Sequence, residues 1–371
     1  MHHPSQSTTQ LKSLLFAEKP RENAGARSSN RFDYQKNWAI VKLTELHSTG
    51  QDYLLAFEFH EDVAVFNSSD DPTMVDFYQV KTTDSSHWKL TDFAKTKKGK
   101  DDSILPSTLG KLHGQLENFG DAVGGLYLIT NSKVQGALKN KTDCLTVTAF
   151  NLKDVCDEDL KKLTSKLNVE LAGKDLTKLT DLMVFNLQQL DIKHHSEITR
   201  DKLSAFIEAT LPNVKYQIGP IYKAIFDEIK TKNNVEATAL SFNELKKTKS
   251  VSRADFDKYL AALENNNSMK DTAAAIEQRL NQELTDYRFV ASFKLQAKTY
   301  ELARMSYNDK QFQQIEHKVF NQTDNFSSLT GRINSDMESI YATLPNEVVT
   351  NLSYGKDYIK TIILFRLYGK G

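Results

Sequence analysis

The sequence predicts an α/β protein, with a mixed core in the N-terminal half and a mostly helical region after it. Three observations predict this. Residues 57–81 read FEFHEDVAVFN, then the polar stretch SSDDPT, then MVDFYQVK. Two runs rich in β-branched and aromatic residues around turn chemistry form a β-hairpin. Two more short apolar runs, GGLYLITN at 124–131 and CLTVTAF at 144–150, read as strands. From Leu152 onward the apolar residues recur at helical spacing instead.

Residues 1–20 read as a poorly ordered arm with one apolar patch at 11–16. Residues 21–30, RENAGARSSN, are small, polar and turn-like. A helix follows, with Phe32, Trp38, Val41, Leu43 and Leu46 as its apolar stripe. Beyond the hairpin, Lys95, Lys97, Lys98 and Lys100 sit in a glycine-containing loop. Such a basic loop is either solvated or a phosphate contact that carries no sequence readout. The next helix, 107–119, turns Leu109, Leu112, Leu116 and Phe119 inward, and His113 among them is structural.

The helical region opens with helices over 157–167 and 174–190, the second ending before an IKHH turn. His194 and His195 read as loop residues, and adjacent histidines are poorly placed to ligate one metal together. Helix 199–210 stops at Leu211-Pro212, and Gly219-Pro220 opens the next, with Ile221, Ile225 and Ile229 inward. Ser241-x-x-Glu244 and Ser252-x-x-Asp255 are capping-box helix starts. The helices they open, 242–247 and 252–263, imitate a helix-turn-helix, although short helix pairs are generic packing units.

Asn265-Asn266-Asn267-Ser268 is the strongest boundary signal. It divides a core domain with helical extension, 21–264, from a helical C-terminal domain, 268–371. There Ile276, Leu280, Leu284 and Tyr287 start a long amphipathic helix that runs past Met305. Its apolar face needs a partner, either the helices at 312–319 and 333–344 or another subunit. The tail 359–368 is apolar but interrupted by Lys360 and Arg366, so it reads as a buried strand or a short helix.

Bulk properties bound the function. The 371 residues carry 48 basic and 48 acidic side chains, so any nucleic-acid contact must come from local patches rather than a global field. Cys144 and Cys156 have no metal-site spacing and suit a reducing cytosol. No stretch approaches the length of a membrane-spanning helix, and the polar N-terminus has no signal-peptide core.

The hairpin is where chemistry concentrates. Side chains alternate faces along a strand, so Gln79 and Lys81 share one face, and Asp62 shares a face with Ala64 and Phe66 on the partner strand. Asp62 and Gln79 supply hard oxygens that suit Mg²⁺. Lys81 would place a water that attacks a phosphodiester and would stabilise the charge that develops. A lysine ending a strand is ordinarily a solvated edge residue. What argues otherwise is the company of Glu58, Glu61 and Asp62 one hairpin away, and apolar flanks that bury the lysine. Glu22 is either a third carboxylate approaching the metal or a solvated loop acid.

Several pieces together resemble one family. ENAGAR with FDYQ, FEFHEDVAV, FYQVKT followed by a tryptophan, and STLGKL are similar to the N-terminal nuclease domain of the CD-NTase-associated dsDNA endonucleases, effectors of anti-phage defence. The resemblance spans about residues 20–260. It implies a restriction-endonuclease-like PD-(D/E)xK core, with Asp62, Gln79, Lys81 and Glu22 as the active site and Gln79 in the place often held by Glu. Glu58 and Glu61 rival Asp62 for its role. Ala24 stands before Gly25 where the family often has two glycines, which bears on where Glu22 sits.

The C-terminal region is too short for the nucleotide-sensing SAVED domain of those effectors, and the arrangement is more similar to the effector nuclease of a Lamassu system. That resemblance implies a Mg²⁺- or Mn²⁺-dependent endonuclease of double-stranded DNA in the bacterial cytoplasm. It also implies an SMC-like ATPase with accessory subunits as partners, and activation by release and homo-oligomerisation. Arg27, Lys97, Lys98 and Lys100 are then the candidate DNA-backbone contacts. The alternatives are an inactive nuclease fold used as an adaptor, or a DNA-binding regulator reading through residues 242–263.

Overall fold

The structure is a computed structural model that describes residues 24–368 apart from 100, 189, 213, 215, 237–240 and 305–308, and leaves out the side chains of 24, 26 and 264–268. Glu22, Lys100 and the N-terminal arm therefore lie outside the described residues. Helix α1 (Ala24–Ser48) leads into strands β1 (Leu54–Phe59), β2 (Glu61–Phe66) and β3 (Val75–Lys81). Short strands β4 (His87–Lys89), β5 (Lys97–Lys98) and β6 (Ile104–Leu105) precede helix α2 (Thr108–Phe119). Then come β7 (Val123–Thr130), β8 (Lys133–Gln135), β9 (Ala149–Asn151), α3 (Asp157–Glu170), α4 (Thr177–Leu182) and β10 (Met183–Leu187). Helices α5 (His195–Thr210), α6 (Ile218–Asn233) and α7 (Phe242–Thr248) lead to strand β11 (Ser250–Ser252). The chain ends in α8 (Arg253–Gln282), α9 (Tyr287–Arg304), α10 (Lys310–Asn325), α11 (Ile333–Ala342), α12 (Asn346–Val349) and α13 (Lys356–Tyr368).

A seven-stranded mixed sheet in the order β11-β1-β2-β3-β7-β10-β9 forms the centre. The β1, β2, β3 side is antiparallel, whereas β3–β7 and β7–β10 are parallel. Alternation sends Leu55, Phe57, Val63, Val65, Tyr78 and Val80 to one face, against Trp38 of α1, Phe206 of α5, Ile225 of α6 and Phe256 of α8. Ala64, Phe77, Leu126, Leu128 and Phe185 line the other, against α2, α3 and the 3₁₀ turn at Leu90–Ala94. A third apolar cluster, built from residues 269–365, belongs to the C-terminal helices alone. Among the described residues no helix is long and apolar enough to cross a membrane.

Local chemistry explains the helix starts. Ser252 and Asp255 form the expected capping box, and Ser241 accepts from the Glu244 amide at 3.2 Å. Ser107 caps α2 through the Gly110 amide at 3.0 Å. The Glu170 carboxylate reaches the same end, accepting from the Ser107 amide at 2.7 Å. A Cβ on Gly110 would lie 2.0 Å from Glu170 Oε1, so a larger residue there would push the Glu170 carboxylate aside.

Several expectations are corrected. The first hairpin run is two strands, not one: the chain reverses at His60, φ 66°, with Phe59 paired to Glu61. The turn-like residues 24–30 are the first turns of α1, and Phe32 is exposed rather than inward. Residues 174–190 are not one helix. Apolar residues at 176, 179 and 182 mimic helical spacing, but MVFNL at 183–187 is a strand held between β7 and β9. Within 144–150 only the end is extended, because a 3₁₀ turn occupies Cys144–Thr146.

The segment joining α7 to α8 is the edge strand β11, paired with β1, so the two helices are not linked by a turn. Helix α8 continues through 265–268, and the long helix expected beyond it is broken at 283–286, leaving Leu284 and Tyr287 exposed. The tail is a helix, with Ile359, Ile362 and Ile363 fully buried.

His195 is buried at the start of α5 rather than in a loop. Asn37 Nδ2 lies 3.0 Å from its Nδ1 and Asn30 Oδ1 lies 3.0 Å from its Nε2. Asn37 Oδ1 accepts from Tyr222 at 2.8 Å, which fixes the amide and makes the imidazole neutral with the proton on Nε2. Burial lowers its pKa below the usual value. A depressed histidine pKa means that the unfolded chain takes the proton first as pH falls, so stability is full above the unfolded pKa of about 6.5 and declines below it. The thermal midpoint is expected to fall between pH 7.5 and 5.5 by more in the native chain than in a His195→Gln variant. Equal declines would remove this residue as the cause.

Candidate active site

The β2–β3 ladder has its last rung at Val63 and Tyr78, while β3 runs on beside β7 as far as Lys81 and Thr130. Asp62 lies just past that last rung, where its carboxylate takes over the hydrogen bonding of the missing strand. Its Oδ2 accepts from the Val80 amide at 2.7 Å, from Gln79 Nε2, and from Gln35 Nε2 on α1 at 3.0 Å. All three donors meet one oxygen, so none of them occupies Oδ1. Gln79 is buried and Asp62 half-buried, and burial raises the Asp62 pKa despite the opposing Val80 amide and the Lys81 charge.

Lys81 is half-buried beside this carboxylate. Burial lowers its pKa; the charges of Asp62 and Glu61 oppose that, while those of Lys111 and Lys97 add to it. Glu61 is buried and pushed up to about 7, chiefly by burial, against a 3.0 Å bond from Gln115 Nε2. Burial and the Asp62 charge also raise Glu58, which sits at φ 45° and whose carbonyl accepts from Lys249 at 3.1 Å. Burial is the first cause of all three shifts, so each carboxyl here holds its proton more tightly than it would in water, and a bound cation would favour the ionised form instead.

The structure thus brings together Asp62, Gln79 and Lys81, with Glu58 and Glu61 beside them. Lys97 is exposed and near enough for its charge to act on Lys81. Lys98 is exposed, with Asp102 at 3.9 Å, and Arg27 is exposed on the first turns of α1. Among the described residues no three His, Cys, Asp or Glu side chains converge as a metal cage. The donors that fit a divalent cation are Asp62 through its oxygen clear of the three donors, and the Gln79 carbonyl oxygen, since that amide meets Asp62 by its nitrogen. Sequence reasoning missed Gln35, Gln115 and Lys111. Gln35 flanks the apolar stripe of α1 next to the buried Tyr34, a position where a polar side chain already points toward the sheet.

Comparisons with known proteins follow the same segment. Residues 23–233 match the family model described as Cap4, dsDNA endonuclease domain. The chain is also similar to the Lamassu protein LmuA of Bacillus cereus (strain VD014), 29% identical over 244 residues. That alignment takes in 65% of this chain and 64% of the relative, so this chain spans less than two thirds of that protein's length.

Proposed function

We propose that this chain, which belongs to the family of the Cap4 dsDNA endonuclease domain, hydrolyses phosphodiester bonds of double-stranded DNA with Mg²⁺ or Mn²⁺, as an effector of bacterial anti-phage defence. One observation carries the reading: Gln79 and the Val80 amide hold the Asp62 carboxylate where β3 outruns β2, with Lys81 on the same strand close enough for the two charges to act on each other. Acid, amide, any residue and lysine on adjacent strands support a PD-(D/E)xK core, with Gln79 standing for the second acid.

Asp62 would hold the cation, with the Gln79 carbonyl oxygen and Glu22 as further donors. When bound, the cation polarises the phosphate and offsets the charge that builds on it. Gln35, the Val80 amide and the Gln79 nitrogen fix the orientation of the Asp62 carboxylate. The Lys81 ammonium orients the attacking water and stabilises charge on the phosphate oxygens. Arg27, Lys97, Lys98 and Lys100 contact the DNA backbone and fix its register without reading sequence. Residues 268–371 join subunits or receive an SMC-like ATPase and accessory proteins, and the active form is a homo-oligomer. Two free thiols, Cys144 and Cys156, suit the cytoplasm.

Metal binding tests the centre without reference to turnover. Mn²⁺ is expected to raise the thermal midpoint of the native chain, since a ligand at a hundred times its Kd stabilises by about 2.7 kcal/mol. The Asp62→Ala variant is expected to show no rise. An equal rise in that variant would take the metal away from Asp62. One observation favours a second reading: Gln79 removes a negative charge from the metal site, as in a nuclease fold kept as an adaptor. That reading predicts neither Mn²⁺ binding nor cleavage. A DNA-binding regulator would instead prefer one duplex sequence without cutting it.

A further inference from the structure

Strands β5 and β6 form a two-stranded antiparallel ribbon of their own, outside the central sheet. Its register sets Lys97 opposite Leu105 and Lys98 opposite Ile104. Directly opposite residues share a face, so each face of the ribbon presents one ammonium and one branched aliphatic side chain. All four are exposed, Ile104 at 73% and Leu105 at 46%. Leaving two such aliphatic groups in water forgoes the stabilisation that burial would give them. The tip is closed by a 2.7 Å bond from the Gly99 amide to the Ser103 carbonyl, and at the base Lys95 bonds Asp92 at 2.5 Å. The Lys97 ammonium lies within electrostatic range of Lys81 at the candidate active site.

We propose that this ribbon is an arm that enters a groove of the substrate duplex beside the phosphate to be cut. The inference rests on the nuclease reading and deepens it. The major groove of B-DNA, about 12 Å wide, admits a two-stranded ribbon. Lysines on opposite faces then meet opposite phosphate walls, and Leu105 and Ile104 touch the base edges and sugars between them. Charge complementarity favours DNA over a protein partner: residues 95–105 carry four lysines against two aspartates in a chain of zero net charge. Ile104 also borders a groove with Pro106 and the exposed Val169, where a protein would dock instead.

The test measures binding of a fluorescent duplex over a range of NaCl concentrations, in the cleavage-deficient Lys81→Ala background. Lys97→Ala and Lys98→Ala are each expected to reduce the slope of log affinity against log salt by about one unit per lost phosphate contact. Leu105→Ser and Ile104→Ser are expected to weaken binding severalfold at every salt concentration, with the slope unchanged. Thermal midpoints equal to that of the background show that the ribbon changes are local. Where a serine variant lowers the midpoint, Leu105→Met and Ile104→Met must restore binding.

Full affinity and an unchanged slope in all four variants overturn the proposal. So does loss of a protein contact in place of a DNA contact. If the native chain cleaves DNA while the ribbon variants behave like it, the inference falls and the nuclease reading stands. If the native chain does not cleave yet the ribbon variants lose duplex binding, the nuclease reading falls and the DNA contact stands.

Discussion

Replacing Lys81 by alanine is expected to abolish Mg²⁺-dependent nicking of plasmid DNA while leaving the chain folded. Removing one preorganised charge donor at a developing oxyanion lowers the rate by about two to three orders of magnitude. Here the loss is compounded, because Lys81 is also one of the charges that hold down the pKa values of Asp62, Glu61 and Glu58. The fold should tolerate the change. Lys81 ends β3, it is only half-buried, and the rung to Thr130 is made by backbone. Cleavage by the variant at the native rate, with an unchanged thermal midpoint, would take hydrolysis out of this strand end.

The largest stability effect is expected at Phe185, which is 1% exposed in the middle of β10. Its ring stacks on Phe150 at 4.9 Å and meets Phe93 at 5.7 Å, so one side chain joins the edge strand, the sheet and the covering 3₁₀ turn. Phe185→Ala removes that contact and leaves a void, at a cost of about 3–5 kcal/mol. At about 2–4 °C per kcal/mol, the thermal midpoint falls by roughly 6–20 °C. Leu295→Ala is the control: that side chain is 63% exposed on α9, and its loss should matter little. Equal losses at the two positions would mean that the sheet core is not where stability resides.

The difference between those positions also explains what could be read from the sequence. The second hairpin was legible because turn chemistry at 67–72 lies between two alternating runs, and the period of two placed Gln79 and Lys81 on one face of β3. Serine caps at 241 and 252 were legible because their hydrogen bonds are local. Strand β10 was not, since MVFNL becomes extended only by pairing with β7 and β9, which lie far off in the chain. Leu284 and Tyr287 fit the helical stripe in spacing, yet the chain turns there and exposes them. The partners of the acidic cluster were hidden for the same reason. Gln35 reaches Asp62 across 27 residues and Gln115 reaches Glu61 across 54, distances that no local pattern records.

Helix α8 has a mechanical consequence. Its 30 residues make a rod about 45 Å long, clamped at one end by Phe256, Tyr259 and Leu263 and at the other by Met269, Ile276 and Leu280. The helical backbone runs unbroken between the two grips. A twist imposed on the terminal helices must bend this rod or travel along it as torque to Ser252, where the rod meets the outermost strand next to β1.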